Sequence, residues 1–229
     1  PRTRLRADRT EPLTLIGPKG LERVVRGLSV ITPELPFEIR LKEITGYEEK
    51  MQISGMELTA FRVNHRMICY GYSLNIPRKG RFNADRAKEL GIPLKFWNRL
   101  QKGETLEEDG RVFTPDMVMG PERRGISVAF TGDTMYCDSV AEGAANADLL
   151  ICEATYGDTA QEEIAAKWGH MTFAQAGRLA AEANVRALRL VHFSQRISDP
   201  EQCLDSAREY FPEARCGTDG EQLVLGYRE

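Results

Sequence analysis

The sequence predicts an α/β fold on two observations. From about residue 125 onward, apolar strand-like runs alternate with helical spacing: SVAFTGD, ADLLICEA, ALRLVHFS and QLVLGY, with a helical stretch between each pair. Between about 37 and 76, three β-rich runs, FEIRLKEI, ELTAFRVN and MICYGYSL, are separated by charged or Gly-containing breaks and read as an antiparallel meander.

Taken in order, PRTRLRADRT leads into PLTLIG, a short strand, and the clustered Arg2, Arg4, Arg6 and Arg9 read as a loop. GPKG then opens a helix in which Leu21, Val24, Val25 and Leu28 recur at helical spacing. After the meander, residues 77–124 lose periodicity, with Pro77, Gly80, Pro93, Gly103, Gly110, Pro115, Gly120 and Pro121 among many charges and one helical candidate at 83–90. This stretch is expected to be an arm inserted in a single domain spanning 1–229. In the last third, Thr172 with Gln175 forms a capping-box pattern, and Asp199–Pro200 an N-cap with proline at the first helical position.

The net charge of −3 argues against an evenly basic nucleic-acid binder, but the charge is segregated. Within 77–102, Arg78, Lys79, Arg81, Arg86, Lys88, Lys95, Arg99 and Lys102 stand against only Asp85 and Glu89, a local charge of +6. Five scattered cysteines without a CxxC pair point to a reducing, cytoplasmic setting. No apolar run approaches the roughly 20 residues of a membrane helix, so a soluble protein with no membrane partner is expected.

Three of the later strands run into a residue that an apolar strand has no structural need for: Asp133 after SVAFTG, Glu153 after ADLLIC and His192 after ALRLV. Parallel strands ending this way would gather the three side chains at the carboxyl edge of the sheet, where open α/β sheets bind ligands. The bland alternative is two helix-capping acids and a loop histidine. The only other histidines, His65 after FRVN and His170 in WGHMT, also sit at element ends. Imidazole and carboxylate are zinc ligands, which points to metal-assisted hydrolysis, although no HxH or HExxH pair sharpens the pattern.

PLTLIGPKGL, VNHRMICYGYSL, PRKGRFNADRAKELGIP, AFTGDT, LLICEATY, GHMTFAQAG and LVHFSQR together make the chain similar to the ribonuclease Z family, the zinc-dependent tRNA 3′-processing endonucleases. The resemblance implies a metallo-β-lactamase αββα sandwich, incomplete at its N-terminus, with an inserted basic arm. It implies that His65, Asp133 and His192 bind metal, Asp133 bridging two zinc ions, and that Glu153 with His170 supplies the proton donor. It further implies a homodimer that cleaves the 3′ trailer from precursor tRNA, gripping the tRNA through the arm. Arg78, Lys79, Arg81, Lys88, Lys95, Arg99 and Lys102 are its candidate phosphate contacts. Phe82, Phe96 and Trp97 either stack on bases or anchor the arm, with anchoring favoured.

The sequence departs from the family at three places. The HxHxDH motif, which carries most of the other zinc ligands, is not in the sequence and is expected upstream of Pro1. CEAT stands where HEAT is usual, with Cys152 for a histidine, and LGIPLKFWNRL lacks the arm's usual Gly-Pro. Two other readings follow: another phosphodiesterase or hydrolase of the same fold, and a catalytically inactive tRNA-binding relative.

Overall fold

The computed structural model describes residues 10–32 and 34–227, so the Arg2, Arg4, Arg6 and Arg9 cluster lies outside the described residues. The chain divides into two compact units, one ending at Asn75 and resuming over Ser127–Leu225, the other comprising Ile76–Ile126 and the residues from Gly226.

In the larger unit, β1 (Leu13–Pro18), α1 (Leu21–Ser29) and β2 (Ile39–Ile44) come first, and β2 pairs with β1 in parallel. This corrects the expected meander, whose first run belongs to the parallel pair. The antiparallel strands are β3 (Glu48–Ile53), β4 (Met56–Val63) and β5 (Cys69–Arg78). β3 escapes sequence reading because EEKMQI shows only Met51 and Ile53 as apolar residues on one face. Glu43 of β2 caps α1, its carboxylate accepting from Gly20 N at 2.9 Å and Glu22 N at 3.1 Å. The apolar stripe of α1 is not buried among the described residues, with Val24 and Leu28 exposed.

A seven-stranded sheet has the order β11-β10-β9-β8-β5-β4-β3, the new strands being β8 (Arg123–Phe130), β9 (Leu149–Glu153), β10 (Leu188–Val191) and β11 (Arg215–Cys216). β8, β9, β10 and β11 pair in parallel, so one half of the sheet is parallel and the other antiparallel. The helices α4 (Asp138–Gly143), α5 (Glu162–Trp168), α6 (Phe173–Glu182) and α7 (Leu204–Arg208) lie between and after these strands. The QLVLGY run forms no strand, a second correction: Arg215–Cys216 takes the place beside β10, and Val224 is 97% exposed.

The main core lies between the parallel strands and α6, whose N-terminus carries the capping box expected of Thr172 and Gln175. Leu150, Cys152, Leu188 and Leu190 on the strands meet Phe173, Ala176, Leu179 and Ala180 on the helix. Burying each large apolar side chain contributes about 1.5–3 kcal/mol, so this layer is the principal source of stability holding the strand ends in place. Asp199 caps a short 3-10 turn at Pro200–Cys203, accepting from Glu201 N at 3.1 Å.

The smaller unit is more regular than its sequence suggests. It contains α2 (Ala84–Glu89), α3 (Leu94–Lys102) and a hairpin of β6 (Leu106–Glu108) and β7 (Arg111–Phe113). Its own core comprises Ala87, Ile92, Phe96, Leu100, Leu106, Phe113 and Val118. The aromatics anchor it: Phe96 meets Phe113 in a tilted pair with centroids 5.7 Å apart, Trp97 meets Phe82 at 5.3 Å, and Trp97 Nε1 donates to Ile92 O at 3.0 Å. Over 76–126 the charge is eleven Lys and Arg against eight Asp and Glu, milder than the 77–102 stretch alone. The hairpin side supplies the acids: Lys95 pairs with Glu108, and Arg99 with Glu104 at 2.7 Å. Lys88 pairs with Asp85 at 3.2 Å within α2. Exposed pairs of this kind contribute only about 0–1 kcal/mol each.

Candidate metal and proton-transfer site

Because β8, β9 and β10 are adjacent and parallel, the residues at or just past their carboxyl ends share one edge of the sheet. Asp133 lies three residues past β8, Glu153 closes β9 and His192 follows β10. His65 follows β4, and His170 precedes α6. All five belong to the larger unit.

Two glycines shape the loops. Gly132 has φ +63°, and a Cβ there would lie 2.9 Å from Tyr70 O, so the turn that delivers Asp133 needs glycine. Gly169 has φ +82°, and a Cβ would come within 2.5 Å of His65 Nδ1. His192 itself adopts a left-handed backbone at φ +60°, a conformation costly enough in a non-glycine residue to concentrate at functional positions.

The three imidazoles form a row, with ring centroids 5.1 Å apart for His65 and His170 and 5.3 Å for His170 and His192. Each has its Nδ1 fixed by an oxygen. His65 Nδ1 donates to Gly169 O at 2.9 Å, since a carbonyl can only accept. His170 Nδ1 donates to Glu153 Oε1 at 2.8 Å. His192 Nδ1 lies 2.9 Å from Thr155 Oγ1, whose own proton goes to Glu153 Oε2 at 2.8 Å, so His192 is the donor there. Nδ1 therefore carries the proton in each neutral ring and Nε2 keeps its lone pair, the tautomer that outer-shell oxygens impose on metal-binding histidines.

His192 Nε2 faces Asp133 Oδ1 at 3.6 Å, too far for a hydrogen bond and close to the roughly 3 Å between neighbouring ligands on one zinc ion. Among the described residues, Glu153, His170 and His192 bring ligand atoms within 4.8 Å of one another, a set that shares only His192 with the expected ligands. Glu153 is a poor ligand, however. Its Oε1 accepts from Thr134 N and His170 Nδ1, and its Oε2 from Thr155 N, Thr155 Oγ1 and Met171 N. A buried carboxylate with this many donors is a positioning group, and it holds the His170 pKa above its ordinary value through their hydrogen bond. His65, Asp133 and His192 offer nitrogen and oxygen donors that fit zinc in kind, while three residues are too few for the full shells of two ions.

Sequence reading missed Thr134 and Thr155. Thr134 binds Glu153 through its amide at 2.8 Å, and its hydroxyl accepts from Asn64 N at 3.1 Å, tying the loop of Asp133 to the strand that carries His65. Both follow a strand-end acid by one or two residues, the signal that could have flagged them. Cys152, the residue of CEAT that stands where histidine is usual, lies in the main core with Leu150, where burial pushes its thiol pKa up.

A sheet half parallel and half antiparallel, with histidines and carboxylates at the strand carboxyl edge, is the arrangement of the metallo-β-lactamase fold. Residues 115–193 match the family model described as the beta-lactamase superfamily domain. The short form of human tRNase Z has the same fold, with a TM-score of 0.60 at 20% identity over 96% of this chain and 70% of that one. The chain is 46% identical to the ribonuclease Z of Lachnospira eligens over 96% of its length and 73% of the relative's. It is 45% identical to that of Lachnoclostridium phytofermentans, with the same coverage of 96% and 73%. The chain belongs to the ribonuclease Z family.

Proposed function

We propose that this protein is a zinc-dependent endoribonuclease that removes the 3′ trailer from precursor tRNA, working in the cytoplasm as a homodimer. Its relatives' name and the tRNase Z fold support the substrate class. The observation that carries the chemistry is the Glu153–His170 hydrogen bond of 2.8 Å beside three Nε2-directed imidazoles.

Two zinc ions would be held by His65, Asp133 and His192, with Asp133 shared, together with ligands beyond these three. When bound, zinc supplies Lewis acidity to a phosphoryl oxygen and acidifies water. Glu153 keeps His170 protonated toward neutral pH, so that His170 Nε2 can donate a proton to the ribose 3′ oxygen as the phosphodiester breaks. Thr155 fixes the His192 ring, and Thr134 fixes the Glu153 carboxylate. Arg78, Lys79, Arg81, Lys88, Lys95, Arg99 and Lys102 in the smaller unit meet phosphates of the tRNA, whose shape supplies most of the specificity.

The direct test gives the protein, with zinc, a precursor tRNA labelled at its 5′ end. A single cut just past the discriminator base leaving a 3′-hydroxyl is expected, and equal cutting of an unstructured RNA would refute the reading. The alternative of a relative that binds tRNA without cutting it predicts retention of the RNA in a gel shift with no product.

A further inference from the structure

A cavity of about 890 Å³ begins at Thr155, the residue whose hydroxyl contacts His192 at 2.9 Å, and runs to Trp168, two residues before His170. Trp168 closes α5 and is 47% exposed, an unusual position for the side chain with the most apolar surface to bury. One face of its ring carries the Arg66 guanidinium, 4.8 Å from the centroid. Trp168 lines the cavity and Arg66 does not, so the ring carries a cation over one face and still has surface open to the cavity. Arg66 also follows His65, and Gly169, whose carbonyl orients His65, follows Trp168. The platform and the imidazole row therefore share their backbone.

We infer that this cavity is a stacking subsite for one unpaired nucleobase of the RNA strand beside the scissile phosphate, with Trp168 as its platform. The inference rests on the nuclease reading above. Single-stranded RNA is held by laying bases on aromatic faces and reading their edges with polar groups. The rest of the wall is mixed in a way that suits the edge of a base: Asp158 and Asp199 carry negative charge, Arg196 carries positive charge, and Ser194 and Gln202 offer neutral hydrogen-bonding groups. Phosphate belongs at the Thr155 end, next to the imidazoles, and the base at the Trp168 end. The guanidinium packed against the indole holds the ring in place, so the platform is preorganised for stacking.

The test compares the wild type, Trp168→Ala and Trp168→Tyr on precursor tRNA carrying an ordinary or an abasic nucleotide on each side of the scissile phosphate in turn. Trp168→Ala is expected to raise KM about ten-fold, the scale of one base–aromatic stack, with kcat changed less than about two-fold and Tyr restoring most of the loss. At one of the two positions the abasic substrate should cost the wild type the same factor and cost Trp168→Ala nothing further. Additive losses at both positions, or a fall in kcat at constant KM, overturn the subsite. If the wild type cuts no precursor tRNA, the nuclease reading fails separately. The subsite is then decided by titrating the intact protein with a single-stranded RNA pentanucleotide: quenching of tryptophan fluorescence that is lost in Trp168→Tyr supports it, and its absence refutes it.

Discussion

Glu153 accepts the Nδ1 proton of His170 across 2.8 Å from a buried position, and four further donors hold the same carboxylate still. The acid is the fixed partner and the imidazole the one that faces outward. On the proposed mechanism, His170→Ala therefore slows precursor tRNA cleavage by about 100-fold or more, the usual contribution of a positioned proton donor, while bound zinc measured by elemental analysis stays constant. A wild-type rate removes the proton-donor role.

The same hydrogen bond gives a sign for pH. His170 has a folded-state pKa raised above its ordinary value, chiefly by the Glu153 hydrogen bond, so its charged form adds stability that is fully present below about pH 6.5 and lost as pH rises through the folded value. Metal-free protein should show this loss in its urea midpoint. Glu153→Gln lowers the His170 pKa, weakens that pH dependence, and shifts the alkaline limb of the cleavage profile to lower pH. An unchanged limb argues against the coupling.

Removing a ligand should act on the metal before it acts on the fold. His65→Ala, Asp133→Ala and His192→Ala are each expected to lower zinc content, with urea midpoints of the metal-free proteins close to wild type because none of the three belongs to a buried core cluster. Full zinc occupancy in any one of them rejects that residue as a ligand.

Lys79→Glu, Arg81→Glu and Lys102→Glu in the smaller unit should weaken tRNA binding across all tRNAs and flatten the salt dependence by about one unit of slope for each phosphate that is no longer neutralised. Deleting residues 77–124 should abolish precursor tRNA cleavage while sparing hydrolysis of a small phosphodiester. tRNA cleavage that survives the deletion sinks the role of the arm.

At Gly177 in α6 an added Cβ would lie 2.3 Å from Ala207 O of α7, a backbone atom that cannot step aside. Gly177→Ala should destabilise the protein by about 1–3 kcal/mol, outweighing the roughly 1 kcal/mol that alanine gains over glycine in a helix. Chemical denaturation that finds the variant more stable would contradict this packing.

The sequence by itself determined the alternation of strands and helices after residue 125, the capping box at Thr172, and the placing of Asp133, Glu153 and His192 at strand ends, because each depends on spacing within a few residues. It also carried the family, through motifs spread along the chain. Pairing was not readable. β2 joined β1 and not the meander, β3 was hidden among charges, and LVLG formed no strand, because a strand's neighbour is chosen by which edge is vacant and not by its own alternation. The aromatics of the smaller unit declared themselves as anchors only once Phe82, Phe96 and Trp97 had partners to meet. Tertiary structure alone decided which nitrogen of each histidine carries its proton and which groups Glu153 serves. Those follow from contacts such as Thr155 with His192, 37 residues apart in the chain, and a hydrogen bond between distant residues leaves no periodicity for a sequence to show.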